Sequence, residues 1–454
     1  MLDLPPEILS TLSIFSPLFS RPVYRNALFL FLGFVLSKGR RTVADVLRNL
    51  HFSNIKNYSK FHWILSKAKW SALKGSKLLF VHLLMAFSIK EITIALDSTV
   101  ERRKGPKIQG LGRQRDAARS SKNNKVLCIG IQWLVSAIIL QFPFTTTPWA
   151  LPFLSILMPP KLPLRSSKNS KDLNKKTKHK KMTSWAHQVV CLLRRWSGKN
   201  RKITVVADSA FACFKMLYVC KKHLVTLISR LRLDARLYEF VPEKISEKRG
   251  RKRVVGKVLP KLSVLAKDEA NLWNKMTARW YGGTTKEIYY KSGKSLWYYI
   301  GFPPVEIHWV LITDPSMQSP VALFSTDLNQ TPQEIVETFV KRWALEVTFE
   351  ETRRHLGMET QRQWSDKAIA RTTPVVLAAF SIVTVMGLKL AESRAEKIQP
   401  QKTSWYKKEH ITFSDVHAYV KMPLLRWRLI SLVGQKTELK KKDWEEFLQH
   451  LVAA

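Results

Sequence analysis

Acidic side chains are scarce in this chain: 34 Asp and Glu stand against 76 Lys and Arg over 454 residues, a formal charge of +42. A surplus of that size calls for a polyanion, nucleic acid before an anionic membrane surface, and argues against a neutral metabolite as sole partner. Cysteine is rarer still. Cys128, Cys191, Cys213 and Cys220 are the four, none in a Cys-x-x-Cys pair, so they make neither a disulfide framework nor a zinc knuckle. Cys220 and His223 have a ligand-like spacing, but two ligands without a second pair are more often chance. Two apolar runs invite comparison with a membrane span: residues 27–36 fall short of the roughly 20 residues it needs. Residues 126–144 are interrupted by Gln132, Ser136 and Gln141 and read as two adjacent strands. The N-terminus has neither the basic segment nor the cleavage site of a secretory signal, so a soluble, intracellular protein is expected. Nucleotide-loop and hydrolase motifs are missing too. Gly293-Lys294-Ser295 is preceded by Ile288 where a phosphate loop needs glycine.

What is present suits a folded chain, with 45% hydrophobic and 11% aromatic residues. Residues 1–85 read as helical, with a cap at Thr42 and a second helical stretch from Tyr58 to Trp70, a pattern that fits a DNA-binding module or a plain bundle with a basic face. Ile92 to Leu96 is a β-branched apolar run ending on Asp97 and followed by a polar, basic stretch from Glu101 to Lys125, which reads as a buried strand running into a loop. Ile203 to Ala207 is a second such run and ends on Asp208. Between them Lys161 to Lys181 holds nine Lys or Arg in twenty-one residues, a solvated arm able to bind phosphate. Residues 233–310 look strand-rich, with Ser292-Gly293-Lys294 as a hairpin signal and a basic stretch from Lys244 to Arg253. A long helix is expected from Thr331, with Pro332 at its first turn, a capping box to Glu334 and Gly357 as terminator. The tail from about 392 is basic and helical.

Phosphodiester chemistry with hard divalent cations needs carboxylates that converge from different elements. Asp97 and Asp208 qualify by closing core strands, although one aspartate after a strand is more often a turn residue. A third should come from the helix after 331, where Phe339, Arg342, Glu346 and Arg353 share a face. Glu346 would point into the site, Arg342 would orient it or touch a phosphate, and Arg353 would hold the DNA backbone; Glu350 and Glu337 are rival acids.

These residues resemble a family. Asp97 after ITIAL, Asp208 in VVADSAF, and FVKRWALEVTFEETR are similar to the three acidic motifs of DDE transposases. The last resembles the Tyr-Arg-Glu-Lys signature of the insertion-sequence-four-like group, with Phe339 in place of tyrosine and Arg353 in place of lysine. The segment Gly357 to Pro374 is similar to related insertion-sequence transposases. The resemblance implies an α/β fold: an RNase H-like mixed-sheet catalytic domain, with a β-rich insertion between the second Asp and the Glu. The parts would be a helical DNA-binding region (1–85), the catalytic domain in two pieces (86–232 and 311–391), the insertion (233–310) and a basic helical tail (392–454). It further implies two Mg²⁺, replaceable by Mn²⁺, held by Asp97, Asp208 and Glu346. Transposon ends would be cleaved and their 3′-hydroxyls joined to target DNA. Partners would be double-stranded DNA, as terminal inverted repeats and target, and a second copy of the chain in a synaptic dimer, with no membrane and a nucleoid-associated place in a bacterial cytoplasm. In relatives an insertion-domain aromatic meets a flipped base, a role open here to Trp297 or Trp309, each more ordinarily a core residue. Two other readings stay open: a non-catalytic DNA-binding protein, and an RNase H-like structure-specific nuclease.

Overall fold

A single mixed sheet organises the chain. The computed structural model describes residues 4–433 except 109, 117, 118, 122, 162–178, 242–252, 269–271 and 406. Most of the basic arm at 161–181, most of the stretch 244–253 and the tail beyond 433 therefore lie outside the described residues. The heart of the sheet is β1 (Ile92–Arg102), β2 (Gly112–Arg115), β3 (Leu127–Leu140), β4 (Trp149–Met158), β5 (Ile203–Ala207) and β6 (Val225–Leu231). β3 is antiparallel to β1 on one edge and to β4 and then β2 on the other, whereas β1, β5 and β6 run parallel. This is the mixed α/β architecture of the RNase H-like class.

The strand-rich segment supplies β7 (Leu237–Tyr238), β8 (Asn274–Arg279), β9 (Thr285–Trp297) and β10 (Val305–Thr313), with β11 (Val321–Ser325) beyond it. Because β11 pairs with β6, β10 with β11 and β9 with β10, these strands lengthen the same sheet.

Five N-terminal helices precede the sheet: α1 (Pro6–Ser13), α2 (Arg21–Leu36), α3 (Val43–Asn49), α4 (Ser59–Ser66) and α5 (Ala72–Ala86). Thr42 caps α3 as expected, its Oγ1 accepting the Asp45 N–H at 3.1 Å. The remaining helices are α6 (Met182–Ser197), α7 (Phe214–Lys222), α8 (Leu262–Leu265), α9 (Pro332–Lys341), α10 (Trp343–His355), α11 (Asp366–Ser393) and α12 (Phe413–Val433). α11 is long and apolar enough to cross a membrane, yet 78% of its most apolar window is buried inside the protein. It packs on β4, α1, α5 and α12, which makes it the central core helix.

Four expectations need correction. β1 does not end at Asp97, and Glu101 does not open a loop, because β3 continues to pair with β1 as far as Arg102. Residues 127–140 form one strand with a register shift at Ser136/Ala137 rather than two strands. Gly293 is not a turn residue. It sits inside β9 opposite Trp309, where a Cβ would come within 2.7 Å of the indole, so the glycine marks a close approach across the sheet. Finally, the long helix after Thr331 is two helices. The capping box is present, but Arg342 N–H bonds Phe339 O and Leu345 N–H bonds Arg342 O, a tighter turn that separates α9 from α10.

Arg371 of α11 ties the N-terminal helices to this core. Its guanidinium, 9% exposed, donates to the carbonyls of Ile64, Leu65, Ala68 and Trp70 and lies 4.8 Å from the Trp70 ring. Arg371→Leu takes a charged donor from all four carbonyls, of which Ile64 O keeps Trp70 Nε1 and Ala68 O keeps the Trp70 N–H, and should lower stability by about 3 kcal/mol. Thermal unfolding checks this, and an unchanged midpoint would show that the helices dock without it.

Candidate active site

β1 and β5 pair in parallel from Ile92↔Ile203 to Leu96↔Ala207. The next residue on each chain is an aspartate, so Asp97 and Asp208 stand side by side where β5 ends. Each carboxylate accepts the N–H of its successor, Ser98 at 2.7 Å and Ser209 at 2.6 Å. The third acid arrives from the helix pair. Arg342, at the tight turn between α9 and α10, donates through Nη1 to Asp97 Oδ2 at 2.6 Å and through Nη2 to Glu346 Oε1 at 3.0 Å. Its Nε is buried without a partner, and its guanidinium stands 5.8 Å from the Phe339 ring. Arg342 therefore bridges Glu346 and Asp97.

The rival acids point elsewhere: Glu350 pairs on the surface with Arg354 at 2.6 Å, and Glu337 accepts the Arg279 N–H at 3.0 Å. Burial pushes the Asp97 carboxyl up to about 6, against the pull of Arg342 and the Ser98 N–H, and the negative charges of Glu346 and Asp208 push the same way as burial. The three carboxylates thus share one electrostatic environment. The donor set is all oxygen, suited to a hard divalent cation. Among the described residues no three Asp, Glu, His or Cys side chains close around one metal position; the Arg342 guanidinium supplies the positive charge between Asp97 and Glu346.

Arg353 lies farther along α10. It binds Glu359 Oε1 at 3.0 Å, Thr99 Oγ1 at 2.8 Å and the Val100 carbonyl at 3.2 Å, fastening α10 to β1 while a third of its side chain stays exposed. Trp309 is 7% exposed and Trp297 packs on Phe214 and Phe324, the bland reading of both. Cys220 is fully buried and the His223 ring instead meets Cys191 Sγ at 3.3 Å.

Three residues near the site escape a reading by motif. Glu359 has a left-handed backbone (φ +77°), costly for a residue with a Cβ, and bridges Arg353 and Arg102. Glu101 is wholly buried and takes hydrogen bonds from Arg103, Trp133 and Thr373. Tyr281, in the β8–β9 turn, meets Trp343 edge-on at 5.7 Å within the fields of Arg342 and Glu346. Only Glu101 had a local signal, since it continues the alternation of Asp97 and Thr99 on one face of β1.

A scan of protein families matches residues 15–287 to the DDE superfamily endonuclease and residues 225–393 to the archaeal transposase family ISC1217. The first match covers more than half of the chain, which therefore belongs to the DDE superfamily of endonucleases. It is a transposase-type nuclease, with DNA as the substrate its families imply. Among curated proteins none matches.

The raised Asp97 pKa has a consequence for stability. An unfolded aspartate titrates near 3.9, so between about 4 and 6 the folded chain keeps a proton that the unfolded chain has lost. The contribution is full below about 4 and is lost as pH rises through about 6. Asp97→Asn should therefore be more stable than the parent near pH 8, by up to roughly 3 kcal/mol, with the gap closing toward pH 4. Thermal unfolding of both chains across this range tests it. A variant less stable at the alkaline end would mean that the Arg342 pair outweighs desolvation.

Proposed function

We propose that the chain is the DNA transposase of an insertion sequence of the insertion-sequence-four-like group, which cleaves transposon ends and joins the 3′-hydroxyls to target DNA. The observation that carries the reading is that Arg342 bridges Asp97 and Glu346 while strand register sets Asp208 beside Asp97, in a chain of charge +42. Asp97, Asp208 and Glu346 would hold two Mg²⁺, or Mn²⁺ in their place, and such ions when bound activate the attacking oxygen and stabilise the leaving one. The chain's own residues do the rest. Arg342 keeps two converging carboxylates neutralised, and once it lets go of them its five donors match a phosphate oxygen pair. Arg353 fixes α10, and with it Glu346, against β1, and its exposed third is left for the DNA backbone.

The proposed division of labour follows the five segments. Residues 1–85 bind terminal repeats, 86–232 and 311–391 carry the chemistry, 233–310 extend the sheet beside it, and 392–454 add basic surface. Joining two ends calls for two copies in the synaptic complex.

Asp97→Asn, Asp208→Asn and Glu346→Gln should each reduce Mg²⁺-dependent cleavage of terminal-repeat DNA to background while duplex affinity is kept. Strand cleavage that persists in any of them removes that residue from the site. Cleavage without joining in a strand-transfer assay would turn the reading into that of a structure-specific nuclease, and binding with no scission by the parent chain into that of a non-catalytic binder.

A further inference from the structure

The pairing register exposes a feature that the acidic site does not use. β1 ends with Arg102 opposite Gly130, the Arg103 N–H still reaches Ile129 O at 3.4 Å, and the first residues of β3 pair with β2: Ile129↔Arg113, Cys128↔Gln114, Leu127↔Arg115. A two-stranded ribbon thus projects past the sheet. Residues directly opposite in an antiparallel pair share a face, so Arg113, Arg115, Leu127 and Ile129 all lie on one side. Arg113 and Arg115 are exposed, as are Leu127 (53%) and Ile129 (44%). Among the described residues neither arginine has an acidic partner. Large apolar side chains left in water beside two free guanidiniums are unusual for a surface without a binding role.

The same register fixes which way this face looks. Asp97 is opposite Val135, Thr99 opposite Trp133 and Glu101 opposite Ile131. Ile129 and Leu127 continue that odd-numbered series, so the ribbon's open face lies on the side of the sheet that bears Asp97. A chain of ion pairs ties the base of the ribbon to α10. Asp116, at the end of β2, bonds Arg102 at 2.8 Å, Arg102 reaches Glu359 at 3.9 Å, and Glu359 holds Arg353 of α10 at 3.0 Å. The ribbon is therefore held in fixed relation to the helix that carries Glu346.

We propose that this ribbon is a duplex-DNA contact, with Arg113 and Arg115 on phosphates or base edges and Leu127 and Ile129 against sugars and thymine methyls. The inference rests on the proposed DNA-cleaving function and adds a location to it. A two-stranded ribbon fits the major groove. Ile129 and Leu127 lie six and eight residues along β3 from Val135. At about 3.3 Å per residue that is roughly 20 to 26 Å from Asp97. One base pair rises about 3.4 Å, so the contact falls about six to eight base pairs from the cleaved bond.

The test measures binding of a fluorescent mixed-sequence duplex to the full chain over a range of salt. Each phosphate contact adds about 0.9 to the slope of log affinity against log salt, so R113Q/R115Q should bind more weakly at low salt and lose up to about 1.8 of that slope. R113K/R115K, which keeps the charge, should retain the parent slope. K199Q/R201Q removes the same charge at the opposite end of β5 from Asp208 and should change the slope far less. The proposal is overturned if R113Q/R115Q, shown folded by its thermal transition, binds like the parent, if the lysine variant is as weak as the glutamine one, or if the control loses as much. A parent chain with no salt-dependent duplex binding would bring down the DNA reading itself, an outcome separate from a variant that binds normally.

Discussion

Three carboxylates cannot be brought together in a half-buried site without a cation among them, and the centre of this structure is arranged around that constraint. The in-register parallel pairing of β1 and β5 makes Asp97 and Asp208 neighbours through backbone geometry alone. The turn at Arg342 then delivers Glu346 and the neutralising charge from the same helix pair. Burial first, and the negative charges of Glu346 and Asp208 after it, push the carboxyl of Asp97, the most enclosed of the three, up to about 6. A guanidinium can relieve this only while it stays.

Holding α10 in register with β1 falls to side chains that lie outside the acidic cluster. Arg353 grips Thr99 and the Val100 carbonyl, two and three residues beyond Asp97, and Glu359 locks Arg353 from the opposite side. The left-handed backbone at Glu359 is a local expense that places its carboxylate between two arginines. Glu101, buried and fully bonded, fixes the same strand to α11 through Thr373. Truncating one partner of such a pair would leave a buried charge unmatched, which costs more than the pair contributes. Glu101 and Glu359 thus sit where strand and helix must meet at fixed distances.

Much of this was legible from periodicity and termination. The buried strand that stops before Asp208, the Thr331 to Glu334 cap and the one-turn spacing of Arg342 and Glu346 are local patterns, and each is present in the fold. What local pattern could not carry was pairing. Whether β1 stops at Asp97 depends on β3, some thirty residues away, and Gly293 reads as a turn until Trp309 is seen to cross it. Arg342 was expected to serve Glu346, its neighbour one turn on, whereas its shortest contact is to Asp97, 245 positions earlier in the chain. Helix α11 misleads in the opposite sense, because an apolar stripe all round signals burial equally well in a large core and in a bilayer.

Strand register also settles a question that composition leaves open, namely how a charge of +42 can serve a reaction at one small acidic spot. Positive charge spread evenly would hold a polyanion in any orientation and present the site with a random stretch of it. Continuity of one sheet face from Asp97 through Thr99 and Glu101 to the ribbon of Arg113 and Arg115 supplies a direction. Between its two ends that face is roofed by α10 and α11, through Arg353 on Thr99 and Thr373 on Glu101, so a duplex aligned along β3 would reach the acids and the arginines from outside this cover rather than lie on the strands themselves. Alignment of this kind is worth more to a strand-cleaving site than added affinity, because cleavage at a defined bond depends on orientation and the phosphate attraction alone supplies none. The Asp116, Arg102, Glu359 and Arg353 chain keeps the two ends of that track at a constant separation.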